Sequence, residues 1–177
     1  MRVFVESQRF NQVWLWILII VIDATFLILI AQALYNQLYL GIPIGNNPIS
    51  DTGLILVSTF IIILLVAITL SLLISRLETR IEQEGVSYRF KPFIRKWNSI
   101  PLDEIQHFEL KKFNPIIDFG GWGYRKVSGR LLVNTSGNTA LFINTINNKQ
   151  IAIGTHYPEE VFSTMQKLMN KKMEVNG

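Results

Sequence analysis

The sequence predicts a membrane α-helical hairpin followed by a mainly-β domain that ends in one amphipathic helix. Three observations carry this reading. Two long apolar runs occupy residues 13–35 and 54–74. Beyond residue 76, short segments alternate apolar and polar side chains between turn formers, the pattern of half-buried strands. From Pro158 the apolar residues take up a helical period. Mean hydropathy over the 177 residues is +0.29, and the apolar excess lies before Ser75. The chain has no cysteine, which excludes disulfides, thiol chemistry and Cys-based zinc sites.

The first run, VWLWILIIVIDATFLILIAQALY, contains one charge, Asp23. About 20 residues of helix cross a hydrocarbon core, so this run is long enough. Trp14 and Trp16 at one end and Tyr35 and Tyr39 at the other stand where interfacial aromatics belong. Ala31-Gln32-Ala33 resembles a signal-peptide cleavage site, but the apolar run exceeds a signal h-region of roughly 7–15 residues. The second run, LILVSTFIIILLVAITLSLLI, has no charge. Residues 1–12 form a segment before the first span, and residues 36–53 a loop with turn formers Gly41, Pro43, Gly45 and Pro48 and no Lys or Arg. Arg2 and Arg9 precede the spans, and Arg76 and Arg80 follow them. The positive-inside rule then places both termini in the cytoplasm and the loop outside.

Residues 76–177 read as a cytoplasmic β domain. Residues 77–84 pair as a hairpin with VSYRF, residues 86–90. PFIRKWNSIPLDEI, with two prolines, reads as a connection. IQHFELKKF is a further strand, GRLLVNTSGNTALFIN gives two short strands about residues 135–138, and LFINTINNKQIAIGT a hairpin turning near Asn147-Asn148. Pro158, Glu159 and Glu160 suit a first helical turn. Val161, Phe162, Met165, Leu168 and Met169 make one apolar stripe, able to cover the open end of a small bent sheet.

The strings SYRFKPF, IPLDEI, NPIIDFGGWGYR, NTSGN and IAIGTHYPEEV occur in this order. Together they resemble the cytoplasmic domain of bacterial membrane-anchored PH-like (pleckstrin homology-like) proteins, which carry two N-terminal spans and a motif close to Tyr-Gly-Gly-Trp-Gly-Ile-Arg. Phe119 and Tyr124 stand here for the usual Tyr and Ile. The resemblance covers about residues 76–172. It implies a seven-stranded, strongly bent antiparallel β-barrel capped by the C-terminal helix, at a bacterial inner membrane. It implies no agreed ligand.

The candidate binding residues are Trp122, Arg125, Lys126, Arg89, Lys91, Arg95 and Lys96. Within DFGGWGYRK, Trp122 reads either as a ring packed over side-chain-free glycine backbone or as an anchor for a partner or for headgroups, with Arg125 and Lys126 attracting phosphate. From Arg76 onward there are 15 Lys/Arg against 10 Asp/Glu. These clusters are either solubility charge on an outer face or a reader of anionic lipid. Asp23 is either polar glue hydrogen-bonded across a helix interface or the site of a small transporter or channel subunit. Asp103, Glu104 and His107 lack a helix to bring them onto one face as metal ligands. No nucleophile–base spacing, phosphate loop or nucleic-acid module is recognisable. The expectation is a non-enzymatic binding or assembly module without cofactor or metal, which binds a protein partner, or itself, at the membrane surface.

Overall fold

The structure, a computed structural model, describes residues 2–43, 45 and 47–176. The chain divides into two compact units, Asn11–Leu73 and Met1–Phe10 with Ile74–Gly177. The second unit is therefore interrupted in sequence by the first.

The first unit is helical. Helix α1, Val13–Leu34, runs on into a π-helical segment, Tyr35–Tyr39, and α2 covers Asp51–Ile74. Both are long and apolar enough to cross a membrane, and only 0% and 6% of their most apolar stretches are buried in protein, unlike a soluble core helix. Helical turns extend further into the connecting segment than the apolar runs do, through the π-helical Tyr35–Tyr39 and through Asp51 to Gly53 at the start of α2. Gln37 Nε2 ties the two together, donating to Ile49 O at 2.8 Å and Asp51 Oδ1 at 2.9 Å. Deeper in the unit, Thr69 Oγ1 donates to Asp23 Oδ2 at 3.0 Å. Beside that bond is a cavity of about 170 Å³ lined by Leu27, Ile62, Leu65 and Val66 among others.

In the second unit, among the described residues, nine strands form two sheets, against the seven that the resemblance implies. Sheet A contains β1 (Arg2–Arg9), β2 (Arg76–Glu82), β3 (Gly85–Lys91) and β4 (Ile94–Pro101), antiparallel and in that order. Sheet B contains β5 (Ile105–Lys112), β6 (Gly123–Val127), β7 (Arg130–Asn134), β8 (Thr139–Thr145) and β9 (Gln150–Gly154), in the order β5-β8-β9-β7-β6. The β8–β9 hairpin leaves β9 parallel to β7. A short helix α3, Pro115–Phe119, joins β5 to β6, and helix α4, Pro158–Asn176, ends the unit.

The main core gathers apolar residues from both sheets and α4: Leu77, Ile81 and Val86 from sheet A, Leu141, Ile143 and Ile153 from sheet B, and Val161, Met165 and Leu168 from the helix. Alternation explains the sheet contribution, since β2 buries Leu77, Thr79 and Ile81 and turns Arg76, Glu78 and Arg80 outward. A second, smaller cluster joins Phe119 of α3 to Leu132, Ala140, Phe142 and Ala152, alternate residues of β7, β8 and β9 on the other face of sheet B.

Three sequence expectations change. Residues 1–12 are not merely a segment before the span, because β1 pairs with β2 from Arg2↔Glu82 to Arg9↔Arg76. The proline-bounded stretch read as a connection contains β4, whose prolines fall outside or at the end of the strand, where no ladder N–H is needed. In α4, Phe162 is 39% exposed and packs on Phe108 with ring centroids 5.6 Å apart, whereas Val161, Met165 and Leu168 fill the core.

Candidate functional site

The Gly-Gly-Trp-Gly stretch is the end of a single helical turn. Asn114 caps α3, its Oδ1 accepting from Ile116 N at 3.1 Å and Ile117 N at 3.2 Å, while Asp118 Oδ2 accepts from Asn114 N at 2.8 Å. Pro115 takes the first helical position. Gly120 then turns left-handed with φ 73°, and the N–H groups of Gly120 and Gly121 close back on Ile116 O and Pro115 O at 2.9 and 2.8 Å. Gly121 and Gly123 also have positive φ, 125° and 105°. A Cβ at Gly120 or Gly123 would meet nothing within 4 Å. The glycines are required by backbone conformation, not by a ring lying against them.

The buried aromatic of this stretch is Phe119. It is 3% exposed and meets Phe113 edge-on at 5.9 Å, and the Arg130 guanidinium lies 5.2 Å from its ring centre. Trp122 is half-buried, and its Nε1 donates to Gly137 O at 3.3 Å. Arg125 Nε donates to Trp122 O at 3.1 Å, and Arg125 and Lys126 are exposed on β6, an edge strand of sheet B.

Gly137 connects this loop to a polar cluster that no local spacing reveals. Ser136 Oγ and His156 Nε2 share a hydrogen bond of 2.7 Å. Glu6 of β1, 4% exposed, accepts from Thr155 Oγ1 at 2.7 Å and from His156 N at 2.8 Å. Gln8 Nε2 donates to Gly154 O at 2.6 Å, and Thr135 Oγ1 donates to Gln8 Oε1 at 3.2 Å. The inward face of β1 thus bonds to the ends of β7 and β9 and ties sheet A to sheet B. Three of the strings carrying the resemblance, GGWG, NTSGN and GTHYP, converge here.

A serine beside a histidine beside a glutamate raises the question of nucleophilic chemistry. Glu6 Oε1 is 4.0 Å from His156 Nδ1, beyond hydrogen-bond length, and already accepts the His156 backbone N–H. Ser136 is buried. An activated nucleophile has a base oriented by a third group and a reachable hydroxyl. The arrangement here acts as a latch between strands.

The basic clusters separate into engaged and open members. On the outer face of sheet A, Glu78 pairs with Arg89 through Nε and with Lys91 Nζ at 3.4 Å. Burial pushes the Glu78 carboxyl up, but the hydrogen bonds and charges of Arg89 and Lys91 outweigh it and hold it below the usual carboxylate range. The guanidinium groups of Arg80 and Arg89 lie over the Trp97 ring, 4.0 and 4.4 Å from its centre. Arg95 and Lys96 are exposed on β4 at a register shift, where the five residues from Ile94 to Asn98 lie opposite the three from Phe90 to Tyr88. Arg89, Lys91, Arg95 and Lys96 therefore belong to sheet A, and Arg125 and Lys126 to sheet B, with Trp122 in the loop just before β6. Asp103 and Glu104 lie in a 3₁₀ turn and His107 is exposed on β5. Comparison with family models, with curated proteins and with solved structures finds no match to this chain.

Proposed function

We propose that this protein is an integral inner-membrane protein whose β unit, PH-like in kind, is a non-enzymatic binding or assembly module on the cytoplasmic surface. The observation that supports the reading best is the interruption of sheet A. Strands β1 and β2 are neighbours in one sheet, yet α1 and α2 lie between them in the chain. A helical hairpin that leaves and re-enters the same sheet crosses a membrane an even number of times. The basic residues Arg9 and Arg76, at the two ends of that hairpin, favour the cytoplasmic side. A β unit joined to the hairpin at two covalent points is suited to presenting a surface to a partner.

The experiment has two parts. A phosphatase reporter that is active only in the periplasm, fused after Gly177, should be silent, and activity would refute the topology. Crosslinking of the full chain in native membranes should yield a discrete adduct with a protein partner or a second copy. Full-length protein that yields none, while remaining membrane-bound and folded, would refute the module.

A further inference from the structure

One hairpin of the β unit carries the wrong surface for a loop in water. Between β3 and β4 the chain turns at Lys91-Pro92-Phe93, and Phe93 is 66% exposed. The ring stacks on Phe90 with centroids 6.1 Å apart, and Phe90 meets Phe10 edge-on at 6.4 Å. Phe10 precedes Val13, the first residue of α1, by three positions. The register agrees, because Lys91 is opposite Arg76 and Arg76 is opposite Arg9. Arg76 follows Ile74, the last residue of α2, by two positions. The turn therefore belongs to the end of sheet A at which the chain passes into and out of both helices. The exposed cations Arg9, Arg95 and Lys96 accompany it.

We infer that the β3–β4 turn is a membrane-inserting tip, with Phe93 at the interfacial level of the leaflet that α1 and α2 enter and Arg95 and Lys96 on anionic headgroups. This rests on the membrane-anchored reading above. An aromatic ring flanked by cations fits that interface, where the ring leaves water and the basic residues are attracted to an anionic surface. Arg89 and Lys91 serve a different purpose, since Glu78 already holds them. The tip thus acts as a membrane contact of the β unit beside its two covalent links to the helices.

The chain has no cysteine, so single spin labels report one position each. Full-length Phe93→Cys, Ile146→Cys and Ile20→Cys, each nitroxide-labelled, are reconstituted into phosphatidylcholine vesicles with and without phosphatidylglycerol. Accessibility to oxygen and to a water-soluble nickel chelate is then read. Ile20, in α1, reports the anchor, and Ile146, 59% exposed on the β8–β9 turn, reports water. With phosphatidylglycerol, the label at 93 is expected to show a several-fold loss of nickel accessibility relative to the label at 146. Arg95→Glu with Lys96→Glu should restore that accessibility. A label at 93 as open to nickel as that at 146, while the label at 20 reads lipid, overturns the tip and leaves the anchor standing. A label at 20 open to nickel overturns the anchor itself. Protection at 93 that ignores lipid charge, or that comes with spin–spin broadening from a second copy, also overturns the tip.

Discussion

Glu6 offers the sharpest test of how the β unit is assembled. Its carboxylate accepts two short hydrogen bonds, from Thr155 Oγ1 and His156 N, in a place where Glu6 itself is nearly inaccessible. Hydrogen bonds to a charged group contribute about 1.5–3 kcal/mol each, so Glu6→Ala removes on the order of 3–6 kcal/mol in gross terms. His156 is part-exposed, and water can reach its freed N–H, which draws the expected loss toward the lower end, about 3 kcal/mol. Glu6→Gln retains one acceptor oxygen and should lose about 1 kcal/mol. Val5→Ala, on the outer face of the same strand, should change stability by less than about 0.5 kcal/mol. The assay is urea unfolding of a chain in which residues 11–74 are replaced by a short Gly/Ser linker from Phe10 to Ser75, followed by fluorescence of Trp97 and Trp122. A loss of about 3 kcal/mol also lowers the melting temperature by roughly 12–24 °C in a unit of this size. A Glu6→Ala midpoint within error of the Val5→Ala midpoint would show that β1 does not dock on sheet B, and the latch would have to be abandoned.

Other outcomes follow from the same geometry. Phe119→Ala should lose about 3–5 kcal/mol as a buried aromatic deletion, and half-buried Trp122→Ala distinctly less, so equal losses in urea titrations would contradict the assignment of Phe119 as the packed ring. Glu78 has a depressed folded-state pKa, so its contribution is present above the unfolded value of about 4.3 and is lost as pH falls through the lower folded value. Glu78→Gln should flatten the acid limb of a stability–pH curve, and an unchanged limb would deny the pairing. Tyr88, raised to about 12 by burial and by Tyr124, works in the opposite sense: its contribution is complete below about 10 and disappears as pH rises through about 12. Tyr88→Phe should therefore weaken the alkaline loss seen by circular dichroism. Asp23→Asn keeps an acceptor for Thr69 and should leave helix pairing in detergent within about 0.6 kcal/mol, whereas a larger loss would mean that the carboxylate does more than bridge the helices.

What the sequence discloses and what it hides have physical causes. The helices α1 and α2 are visible because each is an unbroken apolar run long enough to cross a membrane. Helix α4 is visible because one stripe meets the core, and most hairpins are visible because their partners are close in sequence. Strand β1 escapes because its buried face is Phe4, Glu6 and Gln8, while Val5 faces out. Alternation of apolar and polar residues points the wrong way, and the compensating partners are Gly154, Thr155, His156 and Thr135, far along the chain. Strand β4 escapes because prolines bound it and, of its residues, only Ile100 is buried. The GGWG glycines are legible as a turn, but the ring that packs is Phe119 and not the more conspicuous Trp122. The meeting of Ser136, His156 and Glu6 depends on the sheet order β5-β8-β9-β7-β6, which no local pattern encodes. The candidate cations are legible in the sequence. Their division into pairs with Glu78 and open positions at a turn depends on register.

The interruption of sheet A also bears on biosynthesis. Strand β1 is made before β2, and on the proposed topology it has nothing to pair with until both candidate spans have inserted. The final fold then exists only if the hairpin brings its two ends back to one compartment. A chain whose second helix failed to cross would strand β1 across the bilayer from Thr155 and His156, and those groups would have no carboxylate to meet. On the proposed topology, completion of the sheet would report correct insertion, and chains that fail it are expected to be degraded first. Pulse–chase of a form with basic residues added to the loop at residues 41–50 is expected to show rapid turnover. A stable, inverted protein would exclude such proofreading.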